Sequence, residues 1–549
     1  MVAIPQSSSM PEMDLSKKKI LIIEDFQEMR GVFRGILRNC GADIKNILMA
    51  VNGDEAIALL RSEHFDIVLC DFNLGAGKNG QQVLEEAKFR AYIGLACVWI
   101  MVTAEKTSEA VTGAAEYQPD AYLLKPVTEA SLRSRLHKIW SKKEAFVEIY
   151  QAMKEKDYSK AMSLCDERLA FDKANAAELL RTKCDLLFVN GELDRARQLL
   201  ESTLAERDIP WAKVCLAKVL IKSNELITAK TLLEETLAVN PYFLEAHDLL
   251  VETLQAQGDV EGTGNALERA VKLSPNSVVR QKQLGDVAIK MGKLETAEKA
   301  FRKSVSLGEN SVLKTAGSYI GLAKVCSENK NPTEALKVLG NLNISFADDD
   351  GVRLQAMAVE GMVHHQSGNV KKAQQIATEL GQLVAQEGIN PDSERSMEMA
   401  RLLMATGKKE QAIALIQSEI KRNPENKALH DNATEIFTSV GMGEAGAELI
   451  ETSRKEAMEI MNRGVLLMSK GKYEVAIDAM RDARQAMPSN QRALLNLAYV
   501  LITYMQKNRP TEDLISESRE SLFAANALSP GEPRFTRLMG ALNELAASK

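Results

Sequence analysis

The chain of 549 residues is predicted to combine two fold classes, an α/β domain followed by an all-α repeat domain. In residues 17–141, short apolar runs alternate with amphipathic segments, which is typical of a parallel sheet covered by helices on both faces. After residue 141 the alternation stops, and one short pattern recurs at a nearly constant interval. Aromatic residues make up only 5% of the chain, and helix-forming residues are frequent throughout.

Composition excludes several classes of protein. The net charge of -6 does not provide the basic surface that nucleic-acid binding needs. The seven cysteines show no CxxC or Cys/His cluster, so we expect reduced thiols in a cytoplasmic protein. The longest apolar stretch, Ile93 to Ala104, is shorter than the ~20 residues that cross a bilayer. Residues 1–16 lack the basic region of a signal peptide and are predicted to be a disordered tail.

Five apolar runs are the predicted strands, and each is followed by an amphipathic helix. The strands are Ile20 to Ile23, Ile47 to Ala50, Asp66 to Cys70, Leu95 to Val102, and Ala121 to Leu124. The first helix is expected to present Met29, Val32, Phe33, Ile36 and Leu37 on one face. The later helices are predicted over Gly53 to Leu60, Gly80 to Ala87, Glu105 to Glu116, and Thr128 to Trp140.

Chemically complementary side chains stand at the ends of four of these strands. Glu24 and Asp25 follow the first strand, Asp71 the third, Thr103 the fourth and Lys125 the fifth. The carboxyl ends of parallel strands meet at one edge of a sheet, so these groups are expected to converge there. Asp71 is then a candidate phosphoryl acceptor, beside two carboxylates that suit Mg²⁺. The lysine and the threonine are candidates for contacting phosphoryl oxygens.

The order and spacing of these groups resemble the receiver domain of two-component response regulators, which has a CheY-like, flavodoxin-like fold with strand order 2-1-3-4-5. The resemblance implies that Asp71 is phosphorylated by a histidine kinase or phosphotransfer protein. It also implies that Mg²⁺ is held by Asp25, Glu24, Asp71 and the backbone carbonyl of Asn73.

The same resemblance assigns the remaining site residues. Lys125 is expected to pair with the phosphoryl group or with Asp71, while Thr103 and Tyr122 are expected to act as the switch residues. Two features depart from the family pattern: the loop after Asp71 lacks the usual Met-Pro, and residues 117–120 replace a Gly-containing link. Neither departure removes a chemical group. The alternative is a receiver that keeps the fold without being phosphorylated.

The pattern that recurs after residue 141 is a turn residue followed five positions later by a small residue. Successive turn residues are 30 to 39 positions apart, and they are Lys156, Gly191, Asn224, Gly258, Gly292, Lys330, Gly368, Gly407, Gly441 and Gly471. This spacing resembles the tetratricopeptide repeat (TPR), in which pairs of helices stack into a superhelix. Residues 142–549 are therefore predicted to form about ten or eleven helix pairs. Spacings of 38 and 39 predict longer turns or longer helices between residues 310 and 395.

The junction between the two parts contains no Gly or Pro from Val127 to Asn190. We therefore expect the last receiver helix to pass into the first repeat with little or no flexible linker. This helix carries an apolar stripe of Leu132, Leu136, Ile139 and Trp140. Packing on the receiver sheet is the first interpretation. A docking surface for the repeats, or for a second receiver in a dimer, is the alternative.

These expectations describe a response regulator whose TPR output binds an unidentified protein on its concave face, in a manner that depends on phosphorylation of Asp71. The alternative is a constitutive assembly scaffold in which the receiver is only a docking domain. No sequence motif of a nucleotide hydrolase, esterase or zinc protease occurs. Beyond the receiver's own phosphoryl transfer and dephosphorylation, no enzyme activity is expected.

Overall fold

The computed structural model describes residues 14–104, 119–387, 392–488, 490–528 and 532–547. The first 13 residues of the predicted tail and the predicted helix from Glu105 to Glu116 lie outside the described residues. Contacts divide the chain into two compact units, Met1–Ser318 and Tyr319–Lys549. The first unit contains the α/β domain and the first repeats. The predicted domain bounds, 17–141 and 142–549, stay predictions.

Five parallel strands form one sheet in the order β2-β1-β3-β4-β5, which confirms the predicted order. The strands are β1 (Ile20–Ile23), β2 (Ile47–Ala50), β3 (Ile67–Asp71), β4 (Val98–Thr103) and β5 (Ala121–Leu124). Every residue of β1, β3 and β4 is buried, as expected for central strands covered on both faces. In the register of β3 with β4, Asp71 pairs with Val102, which places the carboxylate at the carboxyl edge.

The described helices of the α/β domain cover both faces of the sheet. They are α1 (Gln27–Asn39), α2 (Gly53–Ser62), α3 (Gly80–Phe89) and α4 (Glu129–Ala145). One core joins α1 and α4, with Phe33 and Leu37 against Leu132, Leu136 and Ile139. The first interpretation of the α4 stripe, packing on the sheet, is therefore correct for these three residues. The opposite core joins α2 and α3 to the sheet.

The repeat helices of the first unit begin one residue after α4. They are α5 (Val147–Lys154), α6 (Tyr158–Leu169), α7 (Ala176–Val189), α8 (Leu193–Glu206), α9 (Pro210–Lys222), α10 (Leu226–Val239), α11 (Leu244–Gln257), α12 (Val260–Leu273), α13 (Val278–Lys290) and α14 (Leu294–Gly308). Phe146, the single residue between α4 and α5, is fully buried. Its ring stacks on Tyr150 with a centroid distance of 5.7 Å, so the junction is packed.

Helix α15 (Ala316–Glu328) crosses the boundary between the units, and the second unit contains the remaining helices. They are α16 (Pro332–Ser345), α17 (Asp350–Gln366), α18 (Val370–Glu387), α19 (Ser393–Ala405), α20 (Lys409–Arg422), α21 (Lys427–Ser439), α22 (Gly443–Ser469), α23 (Tyr473–Ala486), α24 (Gln491–Lys507), α25 (Glu512–Leu528) and α26 (Pro533–Ala547). Helices α17 and α18 have 17 and 18 residues, so longer helices contribute to the spacings from Lys330 to Gly368 and from Gly368 to Gly407. The spacing from Gly292 to Lys330 instead contains a longer turn, residues 309–315.

All ten predicted turn residues have a positive φ, from 59° at Lys156 to 85° at Gly407. This left-handed backbone reverses the chain between paired helices, and glycine adopts it without the strain of a Cβ. The small residue five positions later is buried in every copy, as in Ala196, Ala297 and Ala412, each with no exposed surface. Small residues at this position let the paired helices approach closely. The predicted all-α repeat fold is confirmed.

Two further observations bear on the class of protein. The seven cysteines are all buried and free of disulfide bonds. Within the part of the chain that the structure describes, no helix combines the length and apolar character needed to cross a membrane.

Candidate functional site

The predicted phosphoryl acceptor, Asp71, is the last residue of β3 and is only 6% exposed. The chain then forms a loop, residues 72–79, that we call the acceptor loop. The loop is closed at its base, because the backbone N–H of Gly80 donates to the carbonyl of Phe72 at 2.8 Å. Asn79 caps α3 through its side chain, with Gln82 completing a reciprocal capping box. Local sequence thus fixes where α3 begins.

The structure brings three of the predicted site carboxylates together. Glu24, Asp25 and Asp71 each offer an oxygen atom, and these atoms lie within 4.8 Å of one another. Glu24 is fully buried, and its Oε1 has no hydrogen-bond partner among the described residues, whereas Asp25 is exposed. Clustered carboxylate oxygens with one unsatisfied atom fit a hard divalent cation such as Mg²⁺. Asn73 lies in the acceptor loop, two residues after Asp71, and the role of its carbonyl stays a prediction.

Lys125 connects two of these carboxylates. Its Nζ donates to Glu24 Oε2 and to Asp71 Oδ2, each at 2.9 Å. Burial raises the pKa of Glu24, the charge of Asp71 adds to the rise, and the bond from Lys125 opposes it. Burial lowers the pKa of Lys125, but its bonds to the two carboxylates outweigh this effect and raise it overall. The ammonium group therefore stays charged and offsets part of the repulsion between the acids.

The two predicted switch residues lie on β4 and β5, the strands that follow β3 in the sheet. Thr103 ends β4 and is buried, and its carbonyl accepts from the backbone N–H of Lys125 at 2.8 Å. Tyr122 is half-buried on β5, beside Met101 of β4, and burial raises the pKa of its hydroxyl. Thr103 therefore lies at the carboxyl edge on the strand next to Asp71, whereas Tyr122 lies two strands from β3 and packs against the core of α2 and α3. Their movement on phosphorylation stays a prediction.

Two site residues were not found from the sequence. The guanidinium of Arg30 donates through Nη1 to the carbonyls of Glu24 at 2.7 Å and Asp25 at 2.9 Å. An arginine in an amphipathic helix gives no signal of this role. Gly75 has a φ of 71°, and a Cβ there would lie 3.4 Å from Asp25 Oδ2. The glycine-rich composition of the acceptor loop was the available signal for such a close approach.

Comparison with known proteins agrees with this geometry. The response regulator receiver domain model matches residues 20–137, and tetratricopeptide repeat models match residues 283–310 and 461–503. The chain is 33% identical over 124 residues to chemotaxis protein CheY-3 of Vibrio cholerae, which covers 23% of this chain and 92% of that protein. It is 32% identical over 124 residues to chemotaxis protein CheY of Pseudomonas aeruginosa, with 23% and 97% covered.

Among solved structures, the chain is similar to a CheY-like receiver domain protein from Methanospirillum hungatei. The identity is 26%, the TM-score is 0.21, and the match covers 23% of this chain and 96% of the other. Receiver domains typically bind Mg²⁺ at an acidic site, and both receiver and TPR domains are generally signalling and interaction modules without enzymatic function. By its matched receiver domain, its sheet order and its repeats, this chain belongs to the response regulators, with a CheY-like receiver followed by tetratricopeptide repeats.

Proposed function

We propose that this protein is a response regulator that is phosphorylated on Asp71 and binds a protein partner through its repeats in a phosphorylation-dependent manner. The observation that carries the proposal is the bridge from Lys125 to both Glu24 and Asp71, beside the exposed Asp25. This arrangement leaves one oxygen of Asp71 available, because only Oδ2 is bound by the lysine. The phosphoryl donor would be a histidine kinase or a phosphotransfer protein.

The transfer needs a carboxylate nucleophile whose negative surroundings are neutralised. The free oxygen of Asp71 would attack the phosphorus of a phosphohistidine, the P–N bond would break, and the departing imidazole would take up a proton. Lys125 holds the attacking carboxylate in place and offsets its charge. Mg²⁺, held by Glu24, Asp25 and Asp71, would supply further charge neutralisation for the carboxylates and the phosphoryl oxygens.

The partner site that we favour is a cleft of about 560 Å³ along α11 and α13 in the first unit. Most of its lining surface is apolar, and the polar side chains of Asp248, Glu252, Gln255 and Gln283 border it. Arg280 crosses this face and donates to both carboxylate oxygens of Asp248, at 2.6 and 3.0 Å. An apolar lining bordered by paired charges and amides suits an extended peptide segment that carries both apolar and polar side chains. We expect this segment to bind on the concave face of the repeats.

One observation favours the alternative, a constitutive scaffold with the receiver as a docking domain. The receiver is joined to the repeats by the packed Phe146 and by an ion pair of 3.1 Å between Lys142 of α4 and Glu178 of α7. Such attachment suits a docking role that needs no phosphorylation. The two functions differ in one measurable quantity, the change in partner affinity when Asp71 is phosphorylated.

The acceptor is tested with the full-length protein, Mg²⁺ and a small-molecule phosphodonor such as acetyl phosphate, followed by mass spectrometry under mild conditions. We expect one added phosphoryl group in the parent and in Asp43→Asn, a control at an exposed aspartate. Asp71→Asn should show none, and removal of Mg²⁺ should abolish labelling in all variants. Equal labelling of Asp71→Asn would refute the assignment. Once a partner is identified, an affinity for that partner that does not change when the phosphodonor is added would favour the constitutive scaffold.

A further inference from the structure

A turn between α14 and α15, residues 309–315, lies against the receiver within the first compact unit. We call it the relay turn. The side-chain amide of Asn310 donates to the carbonyl of Gly77 in the acceptor loop at 3.3 Å. The hydroxyl of Ser311 donates to a carboxylate oxygen of Glu85 on α3. These bonds join residues more than 220 positions apart. They therefore form only because the five helix pairs from α5 to α14 bring the chain back to the receiver.

The contact extends to the end of α14. The side-chain amide of Gln82 donates to the carbonyl of Leu307 at 3.2 Å, one residue before α14 ends. Glu85 is only 5% exposed and Ser311 only 9%. A carboxylate loses hydration energy when it is buried, and hydrogen bonds from its new surroundings must replace it. Ser311 of the relay turn supplies one of these hydrogen bonds to Glu85. The docked turn therefore stabilises the buried carboxylate on this face of α3.

On the receiver side, the relay turn reaches the phosphoryl acceptor through the acceptor loop. The loop runs from Asp71 to α3, and the first residue of α3, Gly80, packs against the backbone of Asp71. Gly75 of the same loop approaches the Asp25 carboxylate. The loop that Asn310 contacts is therefore the one that borders the acidic cluster.

On the other side, the relay turn borders the cleft proposed for the partner. The hydroxyl of Ser311 accepts from the backbone N–H of Leu313 at 2.9 Å. Leu313 lines the cleft together with residues of α11 and α13, such as Glu252 and Arg280. One hydroxyl group thus bonds both to the receiver and to the backbone of a residue that lines the cleft.

We propose that the relay turn couples the metal and phosphoryl site of the receiver to the cleft between α11 and α13. The coupling rests on the proposed function, because it requires the acidic cluster to bind Mg²⁺. In the structure, the carboxylates of Glu24, Asp25 and Asp71 lie close together while the relay turn is docked on the receiver through Ser311. A ligand that favours this arrangement therefore favours docking as well. By linkage, a segment bound beside Leu313 would change the affinity of the receiver for Mg²⁺ by the same factor.

Hydrogen exchange of the full-length protein, with and without Mg²⁺ alone, tests the coupling without a partner or a phosphodonor. In the parent, Mg²⁺ should slow exchange in the acceptor loop and also in the relay turn, by about threefold or more. Ser311→Asp places a second carboxylate against Glu85 and should break docking. In that variant Mg²⁺ should still slow the acceptor loop and leave the relay turn unchanged.

Two further variants separate loss of docking from loss of folding. Glu309→Ala removes an exposed side chain from the same turn and should respond like the parent. Adding Glu85→Gln to Ser311→Asp gives the new carboxylate an amide donor and should restore the response of the turn. Mg²⁺ that protects the acceptor loop but not the turn in the parent would overturn the coupling, as would a full response in Ser311→Asp. If Mg²⁺ alters neither region, the proposed metal site is itself wrong, and the coupling is overturned with it.

Discussion

Gly80 stands directly against Asp71: a Cβ on Gly80 would lie 2.0 Å from the carbonyl oxygen of Asp71 and 2.9 Å from Cys70 Sγ. The first contact is with backbone at the end of a buried strand, so neither partner can move without moving β3 or α3. The start of α3 is therefore held at the acceptor by steric contact as well as by its cap.

The Gly80→Ala variant should destabilise the receiver by about 1–3 kcal/mol, because overpacking forces the backbone apart. Gly31→Ala is the matched control, since Gly31 lies in α1 with nothing within 4 Å of an added Cβ. This control should be neutral or stabilising by up to about 1 kcal/mol. Chemical denaturation followed by the fluorescence of buried Trp99, with Trp140 and Trp211 replaced by Phe, measures both. Equal stability of the two variants would contradict the prediction.

Lys125→Ala should lower the free energy of unfolding of the receiver by about 1–3 kcal/mol in the absence of divalent cations. Removal of the ammonium leaves the fully buried Glu24 without its cation. Mg²⁺ at the same carboxylates should recover part of the loss, so the deficit should shrink when Mg²⁺ is added. Denaturation midpoints of parent and variant with EDTA and with Mg²⁺ measure it. Lys45→Ala, at an exposed lysine, is the control and should show no such dependence.

Lys330→Gly should stabilise the repeats by about 1 kcal/mol, because Lys330 is held at a φ of 60° and a side chain is strained there. The chain itself places glycine at seven of the ten equivalent turns. The control is the same substitution at Lys337, an exposed position inside α16, which should instead destabilise by about 1 kcal/mol. Thermal unfolding of the two variants should therefore shift in opposite directions, and shifts of the same sign would refute the explanation.

His247→Gln should reduce the loss of stability on acidification. The Nε2 of His247 bonds the carbonyl of Pro241 at 2.9 Å, and the buried Nδ1 has no partner among the described residues. The pKa of His247 is lowered, and burial is the largest cause. The positive charges of Arg269 and Arg280 also lower this pKa, whereas the bond to Pro241 and the charge of Asp248 raise it. One repeat later, Gln281 makes the same bond to Pro275, so glutamine can replace the structural contact.

The sign of the effect follows from where the proton binds. The unfolded chain protonates this histidine near pH 6.5 and the folded chain only at lower pH, so stability falls as the pH drops below about 6.5. The slope is at most about 1.4 kcal/mol per pH unit. Midpoints of urea denaturation at pH 7.5 and 5.5 should differ less for His247→Gln than for the parent. The same difference in both proteins would show that His247 does not titrate in this way.

The sequence by itself was sufficient for the sheet, the repeats and the convergence of the site. Asp71, Thr103 and Lys125 come together because parallel strands present their carboxyl ends at one edge, whatever helices surround them. The ten turn residues were identifiable because a left-handed backbone selects Gly or Asn locally, and the repeat interval picks out even Lys156 and Lys330. Both signals are either short-range or periodic, so they can be recognised in a single sequence.

Only the tertiary structure decided which distant surfaces meet. Arg30 on the carbonyls of Glu24 and Asp25, and Ser311 on Glu85, have no local signature. The position of the relay turn is the sum of small rotations between successive helix pairs, and no single residue encodes that sum. The fusion of two repeat helices into the 27 residues of α22 was likewise not apparent from turns at Gly441 and Gly471. Local physics thus determined the elements and the chemistry, whereas accumulated packing geometry determined how the receiver and the repeats of the first unit touch.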